Sequence, residues 1–172
     1  TCAWYEWTGT RWRQDSTLHA FGLARGIARA ASLKLGVGPD ANRLASAKTV
    51  AAIERLARMD RRAVVEADVF DADPMLLNTP DGVVDLRSGS TLPHSRNYYQ
   101  TKTTRVAPEA GQPENFIEFL KTVTGGDEEY IAYLRRMCGY MLTGLTVEHA
   151  LFFAHGGGGN GKSVLQETML YI

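Results

Sequence analysis

Hydrophobic and polar positions follow several different spacings along the chain, and each spacing predicts an element. Near the start, large rings alternate with polar residues on either side of Thr8-Gly9, which predicts a β-hairpin over residues 4–12. Apolar residues then recur every three or four positions. This spacing predicts one helix beginning after the capping residues 15–17 and ending at Gly36, and a second from about Asn42 to Arg58.

The spacing changes after residue 70. Short apolar runs separated by Pro, Asp and Gly predict a small antiparallel sheet over residues 75–92. Helical spacing returns across 113–144, with Asp127 as the cap of the second helix there. Residues 150–154 form an apolar run without alternation, which predicts a strand buried on both faces, and residues 162–170 have helical composition. The predicted class is α+β, predominantly helical.

Composition narrows the class of protein. The 172 residues contain 19 basic and 19 acidic side chains, which excludes a strongly basic nucleic-acid coat protein or an acidic tail. Cys2, Cys138 and the four histidines have no metal-ligand spacing, so we expect neither zinc nor a disulfide framework. The sequence has no apolar run of about 20 residues and no signal peptide at its start, so we expect no membrane association and a cytoplasmic location.

Charge is unevenly distributed. Residues 1–66 carry 11 basic and 6 acidic side chains, whereas residues 67–155 carry 7 basic and 12 acidic ones. The basic excess has two interpretations, a solvated helix face or a surface that contacts DNA phosphates. The candidate DNA contacts are Arg43, Arg55, Arg58, Arg61 and Arg62.

One motif carries recognisable chemistry. Residues 156–163 fit G-x-x-x-x-G-K-[ST], in which a glycine-rich loop turns its N–H groups toward a triphosphate at the start of a helix. The lysine of this motif reaches the β- and γ-phosphates, and the hydroxyl that follows ligates Mg²⁺. The motif predicts ATP and Mg²⁺ as cofactors, bound by Gly156, Gly157, Gly158, Gly159, Asn160, Gly161, Lys162 and Ser163.

Further motifs form one ordered series along nearly the whole chain. It comprises Trp4-Tyr5, Trp7, Gly9, Trp12, Phe70-Asp71, Asp73-Pro74, Leu76-Leu77-Asn78, residues 82–87, Gly89, Pro93-His94, Tyr133-Leu134, Gly139-Tyr140, residues 142–144 and residues 160–163. The series resembles the phage and plasmid primase-helicases related to the poxvirus primase-helicase. The resemblance implies a pre-helicase domain over residues 1–148, followed from residue 149 by the first strand, loop and helix of a superfamily 3 helicase ATPase.

The resemblance also implies what the parent protein does. It implies a replicative 3′-to-5′ DNA helicase that forms rings, usually hexameric, and often carries an upstream primase domain. A phage or mobile element in a bacterial host is the implied origin. The sequence lacks the second acidic motif, the sensor and the arginine finger that phosphoryl transfer requires. We therefore expect a piece of a longer protein that is inactive alone and monomeric or weakly associated. The alternative is a non-enzymatic DNA-binding or oligomerisation module next to an ATPase.

Several smaller features have both a chemical and a structural interpretation. Asp71 and Asp73 have the spacing of a two-metal site, but Asp-Ala-Asp-Pro is rich in turn formers and we favour a turn. Asp85 and Arg87 are expected to lock a turn. Asn160 either contacts a phosphate or braces its loop. The rings of the first segment, with Arg11 and Arg13 beside them, either stack on single-stranded DNA or, as we favour, pack across strands: Trp4, Tyr5, Trp7 and Trp12.

Overall fold

A computed structural model describes residues 3–172 and confirms the α+β class. The chain divides into two compact units. Among the described residues, the first comprises residues 3–8 and 12–70, and the second comprises residues 9–11 and 71–172. The predicted boundary between residues 148 and 149 stays a prediction, and Cys2 lies outside the described residues.

The first unit begins with the predicted hairpin. Strands β1 (Tyr5–Trp7) and β2 (Trp12–Gln14) pair antiparallel, with Trp7 opposite Trp12. Their ring centroids lie 5.8 Å apart, so the two indoles contact each other across the strands. The prediction of a hairpin with cross-strand aromatic contacts is confirmed at this pair.

Helix α1 (His19–Leu35) follows a turn that Asp15 organises. The Asp15 carboxylate accepts hydrogen bonds from the backbone N–H groups of Thr17, His19 and Ala20, at 2.9, 3.0 and 2.9 Å. These bonds satisfy donors that the first helical turn leaves free, and they hold the pKa of Asp15 well below its usual range. Asp15 therefore binds the N–H groups of the helix start, but the N-cap position is Leu18 and not, as the sequence predicted, one of residues 15–17.

The prediction of one helix from about Asn42 to Arg58 is wrong. The structure has two shorter helices between residues 39 and 58, α2 (Pro39–Leu44) and α3 (Ala47–Arg58). Ser46 is extended, and its hydroxyl accepts a hydrogen bond from Thr49 N–H at 3.3 Å, so it starts a new helix. Pro39 opens α2 because its fixed φ suits a first helical turn, where its missing N–H costs nothing.

Small residues let these helices approach closely. Ala24 and Ala28 of α1 are buried against Val50 of α3, with the partly buried Ile53 beside them. The Ser32 hydroxyl donates to the carbonyl of the buried Ala41 at 2.8 Å, which ties α1 to α2. Close packing of alanine against β-branched residues is thus the basis of this unit's core.

The second unit contains the predicted antiparallel sheet. Strands β3 (Leu76–Thr79), β4 (Gly82–Asp85) and β5 (Ser90–Leu92) lie in that order, with Asn78 opposite Val83 and Val84 opposite Thr91. The Thr79 hydroxyl donates to Gly82 O at 2.8 Å and closes the first turn. The sheet prediction for residues 75–92 is confirmed.

Three helices complete this unit: α4 (Glu114–Thr124), α5 (Glu128–Met141) and α6 (Lys162–Tyr171). Asp127 caps α5 as predicted, because its carboxylate accepts from Tyr130 N–H at 2.9 Å. Pro113 lies at the N-cap of α4. None of the helices within residues 3–172 has the length and apolar character needed to cross a membrane.

The strand predicted for residues 150–154 is not present. These residues have no regular secondary structure, and Leu151 and Phe153 are largely exposed. A central parallel strand gains its stability from hydrogen bonds to neighbouring strands. Within the described residues, no strand pairs with this segment, so an apolar composition alone does not produce one.

Candidate phosphate-binding loop

The glycine-rich segment forms an exposed loop that ends at the start of α6. Gly159 and Gly161 have positive φ values of 73° and 79°, which side-chain-bearing residues rarely adopt. Gly161 is the N-cap, and Lys162 is the first residue of the helix. The free N–H groups of the first turn and the helix dipole therefore lie next to the loop, as an anion-binding site requires.

Gly161 is also constrained by its neighbours in α4. A Cβ atom at Gly161 would lie 2.5 Å from Val123 Cγ1 and 2.9 Å from Phe119 Cε2. Only glycine fits this contact, so the end of the loop is seated on the apolar side of α4. Sequence reasoning missed this role of Phe119 and Val123, because the helical spacing of α4 predicts an apolar face but not its partner.

Lys162 points back into the loop. Its Nζ donates to the carbonyl oxygens of Gly156 and Gly157, at 3.0 and 3.1 Å, and to Asn160 Oδ1 at 2.6 Å. The structure thus brings Gly156, Gly157, Asn160 and Lys162 together. Gly158 and Gly159 are exposed in the same loop, and Ser163 is exposed in the first turn of α6.

These residues fit a polyphosphate and its magnesium ion. A loop lysine and a helix N-terminus offer positive charge and N–H donors to phosphate oxygens. The Ser163 hydroxyl offers Mg²⁺ one hard oxygen ligand, and phosphate oxygens and water commonly provide the others. The arrangement can therefore hold a nucleotide by its phosphates.

The candidate DNA-contacting arginines fall into two groups. Three of them form ion pairs: Arg43 with Asp40 at 3.2 Å, Arg62 with Asp60 at 2.5 Å, and Arg58 with Glu54. The Arg62 guanidinium lowers the pKa of Asp60 to about 2. Within residues 3–172, Arg55 and Arg61 are exposed and form no ion pair. The structure therefore leaves Arg55 and Arg61 as the cations without a carboxylate partner in this set.

The aromatic residues of the first segment are engaged by the first unit itself. Trp4 Nε1 donates to Glu54 Oε1 at 2.6 Å, and the Arg58 guanidinium lies 5.8 Å from the Trp4 ring centroid. Tyr5 stacks on Phe70 with centroids 4.7 Å apart. Together with the Trp7–Trp12 contact, these interactions support packing over a free stacking platform.

The two carboxylates with two-metal spacing bind protein groups instead. Asp71 accepts from Thr101 N–H at 2.8 Å and from its hydroxyl, in a turn-rich segment as predicted. Asp73 binds Arg87 Nη2 at 2.7 Å, and this guanidinium lowers the pKa of Asp73. Among residues 3–172, no cluster of three His, Cys, Asp or Glu residues could hold a metal ion.

Arg87 locks its turn as expected, with one additional partner. Its N–H donates to Asp85 Oδ1 at 2.9 Å, and its Nη1 lies 3.5 Å from the same carboxylate. The bond to Asp73 was not predicted, because the two residues are far apart in sequence and only the folded turns bring them together.

Comparison with known proteins identifies a family for most of the chain. The family model described as D5 N terminal like matches residues 1–125, more than two thirds of the 172-residue chain. The match indicates an N-terminal region of the primase-helicase type. No curated protein matches the chain.

Proposed function

The chain belongs to the D5 N-terminal-like family, and from that premise we propose that it is the pre-helicase region and phosphate-binding loop of an ATP-dependent replicative DNA helicase. One observation carries the proposal. After the family region, a G-x-x-x-x-G-K-S loop begins a helix and holds its lysine ammonium among the loop oxygens.

The loop binds the phosphates of Mg·ATP in this proposal. Lys162 contacts the β- and γ-phosphates, the loop and first-turn N–H groups bind phosphate oxygens, and Ser163 contributes an oxygen ligand to Mg²⁺. Hydrolysis also requires groups that position water and stabilise the developing charge. Those groups belong to the longer helicase, so this chain binds Mg·ATP without turning it over. The longer protein acts on DNA as a ring, a homo-hexamer in this proposal.

Calorimetric titration of the 172-residue chain with Mg·ATP tests this loop. We expect saturable binding by the unmodified chain and a roughly 10- to 100-fold weaker affinity for Lys162→Ala, because a charge-assisted bond to phosphate is lost. Lys121→Ala is the matched control, since Lys121 is an exposed lysine of α4 in the same unit. Its affinity should equal that of the unmodified chain.

Two outcomes would contradict phosphate binding by this loop. Equal Mg·ATP affinity in Lys162→Ala and Lys121→Ala, both folded by circular dichroism, would exclude phosphate binding by this loop. Absence of any binding by the unmodified chain would exclude it as well.

We further propose that the first unit contacts DNA phosphates through Arg55 and Arg61. The supporting observation is the contrast between these two arginines and Arg43, Arg58 and Arg62, whose charges face carboxylates. An arginine that pairs with a carboxylate gives up that interaction when it binds a phosphate, whereas a solvated one gives up only its hydration.

Anisotropy titrations with a labelled single-stranded oligonucleotide test this contact across a series of salt concentrations. We expect Arg55→Ala/Arg61→Ala to weaken binding and to reduce the salt slope by about 1.4, or about 0.7 for each lost phosphate contact. The matched control is Arg43→Ala/Arg62→Ala, which removes two paired arginines and should change the slope much less. Equal slopes for the two double variants would show that Arg55 and Arg61 are only a solvated face.

A further inference from the structure

The Lys162 ammonium has no unused donor in the structure. An ammonium has three N–H donors, and three loop oxygens accept from it: Gly156 O, Gly157 O and Asn160 Oδ1. The contact with Asn160 is the shortest of the three, at 2.6 Å. Phosphate oxygens require the same donors, so binding a phosphate at Nζ requires Lys162 to exchange at least one loop oxygen.

The Asn160 amide is fixed in its orientation by its two neighbours. Its oxygen must face Lys162, because an ammonium group donates and never accepts. Its nitrogen lies against the position that a Cβ of Gly156 would take. The amide therefore packs directly on the Gly156 backbone and spans the loop from its first glycine to its lysine.

We propose that Asn160 is a positioning residue that competes with phosphate for the Lys162 ammonium and thereby lowers the affinity of the loop for Mg·ATP. The inference rests on the proposed nucleotide-binding function. Gly156 O and Gly157 O are main-chain atoms, whereas Asn160 Oδ1 is the side-chain acceptor that holds the lysine. A substitution at Asn160 can therefore change how readily Lys162 leaves the loop oxygens, whereas the main-chain acceptors stay in place.

Two other roles for Asn160 predict the opposite sign. If its amide donates to a phosphate oxygen, or if it braces the loop in a binding-competent shape, removing the side chain weakens nucleotide binding. If it competes with phosphate for Lys162, removing the side chain strengthens binding, and the effect requires Lys162 to be present. The sign of the effect and its dependence on Lys162 therefore separate competition from the other two roles.

The test is a double-mutant cycle in Mg·ATP binding, measured by calorimetry on the 172-residue chain. We expect Asn160→Ala to bind about two- to fivefold more tightly than the unmodified chain, as for loss of an exposed charged contact. In the Lys162→Ala background, where binding is weaker but measurable at high nucleotide concentration, Asn160→Ala should change the affinity less than its effect in the unmodified background. Thermal unfolding of each variant checks that the chain stays folded.

The outcomes separate this inference from the function on which it rests. Weaker binding by Asn160→Ala, while the unmodified chain binds normally, would overturn the competition and favour a bracing or phosphate-donating role. An equal gain in affinity with and without Lys162 would also overturn it, because the effect would not pass through the lysine. Absence of binding in every variant would instead overturn the proposed function together with the inference.

Discussion

The β3–β5 sheet and the glycine loop belong to the same unit, and both contain residues of the primase-helicase resemblance. They differ in burial and in how far along the chain their hydrogen-bond partners lie. In the sheet, Val83 and Thr79 are each 1% exposed. The Asn78 amide donates to Thr10 O at 3.1 Å and to Lys102 O at 2.8 Å. In the loop, the glycines before Gly161 are exposed, and Lys162 binds only loop oxygens.

This difference indicates that a motif residue can have either of two roles, a structural one or a ligand-binding one. A buried side chain that donates to the protein's own backbone, as the Asn78 nitrogen does, stabilises the fold and has little surface to offer a ligand, although Asn78 Oδ1 has no hydrogen-bond partner among the described residues. A partly exposed lysine whose hydrogen bonds are all local costs the fold little to release. We therefore expect changes in the sheet to lower the free energy of unfolding, and changes in the loop to alter binding while the fold stays intact.

The largest expected effect on stability is at Gly82 in β4. A Cβ atom there would lie 2.7 Å from Leu92 O and 2.8 Å from Thr91 Cγ2, and backbone oxygen cannot move aside easily. Gly82→Ala should lower the free energy of unfolding by about 3 kcal/mol, through overpacking of a buried position. Urea denaturation followed by circular dichroism measures this loss.

Gly89→Ala is the matched control for this variant. Gly89 lies in the same sheet's second turn and has a φ of 72°, and no atom lies within 4 Å of the position that its Cβ would take. Its substitution should cost about 1 kcal/mol, from left-handed backbone strain alone. Equal losses at the two glycines would contradict the claim that close packing of β4 on β5 makes the loss at Gly82 larger than backbone strain alone.

A smaller effect should appear on acidification. The Arg87 guanidinium and Met75 N–H lower the pKa of Asp73 in the folded chain. The ionised carboxylate therefore stabilises the fold when the pH is above the ordinary pKa of an aspartate. That stabilisation is lost as the pH falls through the lowered pKa of Asp73, because the unfolded chain binds the proton more readily. Both side chains are substantially exposed, so the loss should stay below about 1 kcal/mol.

Unfolding free energies at neutral and acidic pH measure this contribution. Asp73→Asn should show a smaller loss on acidification than the unmodified chain. Asp81→Asn, at an exposed turn position of the same sheet, is the control and should behave as the unmodified chain does. A pH dependence of Asp73→Asn that matches that of Asp81→Asn would show that the Arg87 contact adds nothing to stability.

Local patterns predicted much of the fold because the interactions that form these elements are themselves local. The Thr-Gly turn, the Thr-Pro-Asp-Gly turn and the Asp127 cap act within a few residues, and the structure contains the hairpin, the sheet and the α5 helix start where they predict them. Ser46 shows the limit of helical spacing. A capping hydroxyl within a continuous apolar pattern begins a second helix, although the periodicity alone predicts one.

Contacts between distant segments decided the rest. The strand predicted for residues 150–154 depends on partner strands, and the described residues supply none, so its apolar composition was insufficient. The Asp73–Arg87 pair, the division of the arginines into paired and unpaired groups, and the seat of Gly161 on Phe119 and Val123 also came only from the fold. The order of residues in the loop specifies which groups can bind phosphate. The oxygens that compete for Lys162 lie within the same loop, whereas the position of the loop end depends on the packing of Gly161 against Phe119 and Val123, far from it in the chain.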